Sequence, residues 1–135
     1  MSPDQFRRLV SEAIDTIPAQ FRQHLGNIAI VVEDEPSAEL LEAMDVNPPD
    51  TLFGLYHGTP LTERQWAFGN ALPDRITLFQ GPIEDACDSD EDVVTEIGET
   101  LIHEVGHYFG MSEEELEAIE ERYWRGRTGE AGDAE

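Results

Sequence analysis

Val94, Ile97, Leu101, Val105 and Tyr108 recur at spacings of three and four, an apolar stripe of helical period behind an acidic run at 88–92. A second stripe, Phe6, Leu9, Val10, Ala13, Ile14 and Ile17, follows Ser2-Pro3-Asp4-Gln5. That tetrapeptide supplies an N-cap, a proline at the first helical position and a glutamine three residues on, so a helix starts there, and Pro18 closes it. Residues 28–32 form a short continuous apolar run rich in β-branched residues, suited to a buried strand. A short helix is predicted over 37–44, broken by Asn47-Pro48-Pro49-Asp50. Residues 52–57 and 76–80 read as two more strands, joined by a Gly- and Pro-punctuated loop holding Trp66 and Phe68. The pattern predicts one domain over 1–125 and a disordered acidic tail over 126–135.

The polar side of the long central helix carries the chemistry. His103-Glu104-Val105-Gly106-His107 is an H-E-x-x-H pentad. At 100° per residue its histidines lie roughly 160° and 120° from the Leu101 direction, away from the core stripe and beside Glu96 and Thr100. A histidine of the core would fall within the stripe; these two face a cleft. Residues four apart on a helix stand one above the other, so two imidazoles can reach one metal ion. The glutamate beside the first histidine is then placed to take a proton from water on that metal. With 4 His and 19 Glu in 135 residues, chance gives only about 0.02 such pentads per chain. Glu96, Glu99 and Thr100 are candidates to anchor the imidazoles, since metal-bound histidines donate their other N–H to a carboxylate or carbonyl.

Gly110, three residues past His107, is placed to adopt a positive φ, end the helix and turn the chain back toward the metal. Ser112 and Glu115 then form a capping box for another helix, whose first turn also favours Glu113 and Glu114 through its dipole. Cap and dipole explain all three glutamates without metal. Glu113 is nevertheless the leading third ligand, because it lies three residues beyond the turning glycine, in a site of three protein ligands plus water. His24 and His57 are the other imidazoles.

His103, Glu104, His107, Gly110 and Glu113 together resemble the extended zinc-binding consensus of metzincin-type peptidases, H-E-x-x-H-x-x-G-x-x-H/D. More closely, three segments resemble the small bacterial metallopeptidase-like proteins with a minimal zincin fold. They are Val31-Val32-Glu33-Asp34-Glu35-Pro36, Leu55-Tyr56-His57-Gly58-Thr59-Pro60-Leu61-Thr62-Glu63-Arg64 and Leu72-Pro73-Asp74-Arg75-Ile76-Thr77-Leu78-Phe79. The resemblance implies an α+β zincin core, a small mixed sheet packed on the active-site helix and its flanking helices, with zinc bound at the motif. Position 113 carries Glu where that consensus has His or Asp, and no metzincin-type Met-turn follows.

Composition narrows the function. The chain has 8 Lys plus Arg, all of them arginine, against 30 acidic residues, for a formal charge of −22. Such a field repels nucleic acid and anionic membranes and favours cationic or neutral ligands. Cys87 is the one cysteine, so no internal disulfide forms. The first residues lack a basic segment with an apolar run, and no stretch has transmembrane length, so the cytoplasm is the expected location. The expected function is a zinc-dependent hydrolase acting on peptide bonds, with His103, His107 and Glu113 on the metal and Glu104 as general base. Residues 52–57 are a candidate edge strand for an extended peptide, and Tyr56, His57 and Arg75 are candidate oxyanion stabilisers. Two alternatives stand beside it: a metal-binding module without turnover whose acidic surface meets a basic partner, and hydrolysis of a non-peptide amide.

Overall fold

A computed structural model describes residues 1–26, 28–58 and 74–128. In chain order it contains α1 (Pro3–Thr16), α2 (Ala19–Leu25), β1 (Ile28–Glu33), α3 (Ala38–Ala43), β2 (Gly54–His57), β3 (Asp74–Phe79), α4 (Gln80–Asp85), α5 (Asp90–Tyr108) and α6 (Glu113–Thr128). The fold is α+β, as expected. The loop with Trp66 and Phe68 and residues 129–135 lie outside the described residues. Residues 126–128, read from sequence as tail, continue α6, whose helical hydrogen bonding extends through Thr128.

The N-terminal helix starts as its sequence dictates. Ser2 Oγ accepts from Gln5 N–H and the Gln5 side chain accepts from Ser2 N–H, a reciprocal capping box with Pro3 at the first position. Pro18 ends that helix and also begins α2, a two-turn segment that buries Phe21 and Leu25. The strands form a mixed sheet in the order β1-β3-β2. β1 runs parallel to β3, with Ile30 opposite Ile76, and β2 runs antiparallel, with Tyr56 opposite Ile76. β3 is therefore central and buries Ile76, Thr77, Leu78 and Phe79. β1, read from sequence as buried, is an edge strand and only half-covered. Its apolar run faces the core through Ile28, Ile30 and Val32, which pack against the cluster while remaining partly exposed.

The central pillar is α5. Ser89 Oγ accepts from Asp92 N–H at 3.2 Å, and Asp90, Glu91 and Asp92 favour the positive end of its dipole. Val94, Ile97, Leu101 and Val105 are buried against Phe6, Val10 and Ala13 of α1 and Ile76 and Leu78 of the sheet. The remaining side of α5 faces a groove.

At the end of α5, Gly110 takes φ +79°. Gly110 N–H donates to His107 O at 3.0 Å and Met111 N–H to Gly106 O at 2.9 Å, the paired bonds of a Schellman cap. The chain then reverses, and Ser112 and Glu115 start α6 with a second reciprocal capping box. α6 lies against α5 because two α5 glycines leave room for it. A Cβ on Gly106 would overlap Leu116, and one on Gly98 would overlap the Tyr123 ring. Leu116 and Tyr123, seven residues apart on α6, fill those gaps and are buried.

Candidate metal centre

The close approach of α6 to α5 decides what faces the two histidines. On α6, Glu113, Leu116, Glu120 and Tyr123 share one helical face. Within it the apolar pair occupies the edge over the α5 glycines, and the two carboxylates occupy the edge toward His103 and His107. His107 Nε2 lies 2.7 Å from Glu113 Oε1 and 2.9 Å from His103 Nε2. His103 Nδ1 is held by Glu120 Oε2 at 3.3 Å. His103, His107 and Glu113 thus each offer one ligand atom, and the three lie within 4.8 Å of one another.

This donor set fits a zinc ion. If His103 donates Nδ1–H to Glu120, its Nε2 presents a lone pair toward the centre. His107 Nε2 then carries at most one proton for two acceptors, His103 Nε2 and Glu113 Oε1. A cation among the three atoms satisfies all of them at once. Tetrahedral bonds of about 2.0–2.1 Å hold neighbouring donors about 3.3 Å apart, so the pairs at 2.7 and 2.9 Å open by a few tenths of an ångström to admit the ion.

Glu104 projects from the same helix toward β2, where its Oε1 accepts the Tyr56 backbone N–H at 2.9 Å. Burial pushes its carboxyl above the ordinary range, opposed by that hydrogen bond and by the neighbouring imidazoles. A more basic, oriented carboxylate suits a proton acceptor working near neutral pH. Beside it opens a groove of about 330 Å³, walled by residues 51–54, by Glu96, Glu99, Thr100, His103 and Glu104 of α5, and by Glu120 of α6.

His24 stacks on Phe109 with ring centroids 4.2 Å apart. His57 stands opposite Arg75 in the β2–β3 ladder, and burial with the nearby guanidinium lowers its pKa. The Tyr56 hydroxyl donates to Asp74 Oδ2 at 2.7 Å, and its ring stacks on Tyr108. Neither His24 nor His57 joins the three-atom cluster. Thr100 Oγ1 donates to the Glu96 carbonyl, and Glu96 and Glu99 line the groove. His103 Nδ1 instead meets Glu120, a residue that sequence reading did not single out. Its signal was the seven-residue spacing from Glu113 alongside Leu116 and Tyr123, which places all four on one face.

The groove's crowding has a measurable consequence. Burial first, then Glu96 and Glu120, push the Glu99 carboxyl up to about 7 from 4.5. A carboxyl with a raised folded-state pKa binds its proton more tightly in the folded chain. It therefore costs stability above the folded pKa, and the cost fades as pH falls toward the unfolded value. Glu99→Gln is expected to raise the thermal midpoint of metal-free protein near about pH 8, with the gain shrinking through about pH 7 and gone below about pH 4.5. A midpoint unchanged near about pH 8 would contradict a desolvated, crowded groove.

The sequence model of the family described as "Zincin-like metallopeptidase" matches residues 25–123. No curated protein matches. Among solved structures, a conserved hypothetical protein from Thermus thermophilus is similar, with a TM-score of 0.51 and 20% identity. That similarity covers 80% of this chain and 94% of the other and bears on the fold alone. Among the described residues, no helix is long and apolar enough to cross a membrane. With a family match spanning both the sheet and the helix pair that brings His103, His107 and Glu113 together, the chain belongs to the zincin-like metallopeptidases.

Proposed function

We propose that this chain is a zinc-dependent peptidase in which His103, His107 and Glu113 hold the metal and Glu104 is the general base. The observation that carries the reading is the convergence of three ligand atoms next to a half-buried, oriented carboxylate. Zinc bound there supplies a Lewis acid that polarises a peptide carbonyl and makes water acidic near neutral pH. Glu104 accepts the proton from the attacking water and returns it to the leaving amine. The Tyr56 N–H fixes one oxygen of that carboxylate and so sets its direction. Among the described residues β2 is an edge strand, which supports pairing with an extended peptide laid along the groove.

The groove wall also supports a preference among peptides. Glu96, Glu99 and Glu120 line it, so a side chain or terminus carrying positive charge is favoured there over an anionic one. The test is cleavage of a pool of unstructured peptides by zinc-supplemented protein, with and without a chelator. Chelator-sensitive cleavage enriched near Arg, Lys or a free α-amino group is expected. Absence of any cleavage by fully zinc-loaded protein would favour the second reading, a metal-binding module that meets a basic partner. That reading draws its support from the formal charge of −22.

A further inference from the structure

We propose that Glu120 is the positioning residue of the centre, fixing the His103 ring through Nδ1 so that Nε2 is aimed at the metal. The inference rests on the metal-site reading and extends it from the ligands to the helix that orients them. Three observations carry it. Glu120 Oε2 lies 3.3 Å from His103 Nδ1, the ring nitrogen pointing away from the three-atom cluster. Glu120 comes from α6, the same helix that delivers Glu113, and the two are one heptad apart on one face. One helix therefore brings both the third ligand and the anchor of the first ligand, in a register set by Leu116 and Tyr123 over Gly106 and Gly98.

Packing alone does not call for a carboxylate at this position. Leu116 and Tyr123 already fill the glycine gaps, and Glu120 stands on the groove side of them, close enough to Glu96 and Glu99 to repel both. A residue serving only the helix interface would be better neutral at that position. What the negative charge does there is accept the His103 N–H, select the tautomer with a lone pair on Nε2 and make that nitrogen a stronger donor. Such partners govern metal affinity by about 10- to 100-fold.

The test combines two readouts on the full chain. Zinc affinity is measured by competition with a chromogenic chelator for the parent, Glu120→Ala and Glu120→Gln. The His103 tautomer is read by ¹⁵N-resolved NMR on metal-free protein at alkaline pH, where imidazoles are neutral. Glu120→Ala is expected to weaken zinc by about 10- to 100-fold while the metal-free protein melts no lower than the parent. Glu120→Gln, whose carbonyl accepts the same N–H, is expected to retain most of the affinity. The parent is expected to show the Nδ1–H form of His103, and the alanine variant to shift toward Nε2–H. Parental zinc affinity in Glu120→Ala, or the same His103 tautomer in both proteins, would overturn the inference. If the parent itself binds no zinc, the metal reading falls, and the tautomer measurement alone still decides the role of Glu120.

Discussion

Glu104→Gln is expected to leave zinc bound as in the parent while slowing peptide hydrolysis by about 10²- to 10⁴-fold, the contribution of a positioned general base. The amide is nearly the same size and shape as the carboxylate, and its carbonyl oxygen still accepts the Tyr56 N–H that Glu104 accepts at 2.9 Å. It cannot take a proton. Geometry and metal should therefore survive while proton transfer fails. The measurement is turnover of any peptide the parent cleaves, paired with metal analysis of the same preparation. Parental turnover in the glutamine variant would place the base elsewhere. Loss of metal would mean that Glu104 belongs to the ligand set.

The second large effect concerns Glu113. Glu113→Ala removes an oxygen that lies 2.7 Å from His107 Nε2, so zinc affinity should fall by more than the roughly 100-fold upper bound for an anchoring residue. Glu113→Asp and Glu113→His should restore part of it, since carboxylate and imidazole are both ordinary zinc ligands. The paired control is Glu115→Ala. Glu115 is held by Ser112 in the capping box, and those hydrogen bonds keep its carboxyl below the ordinary range. Losing it should loosen the start of α6 and leave zinc affinity nearly unchanged. Zinc lost from Glu115→Ala and kept in Glu113→Ala would reverse the assignment. Titration of each variant against a competing chelator reads both outcomes.

The parts of this site legible in the sequence are those set by local geometry. The four-residue spacing of His103 and His107 and their position off the Leu101 stripe follow from helix periodicity alone. Gly110 and the Ser112–Glu115 box are local signals as well, and both operate as read. Glu120 depends on something non-local, the depth to which α6 sinks onto Gly98 and Gly106, so no spacing within α5 could point to it. The short helices were hidden for different reasons. α2 has only 7 residues, directly after a proline read as a terminator. α4 has 6, with Gly81 and Pro82 in its first turn, both poor helix formers. Gln80, read as the end of a strand, is its first residue. β1 was misjudged in burial because a β-branched run looks alike at the centre and the edge of a sheet. Only the β1-β3-β2 order separates the two.

The most direct test of the metal centre is zinc content, measured by mass spectrometry on protein dialysed against zinc and then against metal-free buffer. The parent should retain about one zinc per chain, the stoichiometry of one site with three protein ligands. His103→Ala and His107→Ala should each retain almost none while staying folded by circular dichroism. A parent that holds no zinc, or alanine variants that hold as much as the parent, would contradict a metal centre at His103, His107 and Glu113.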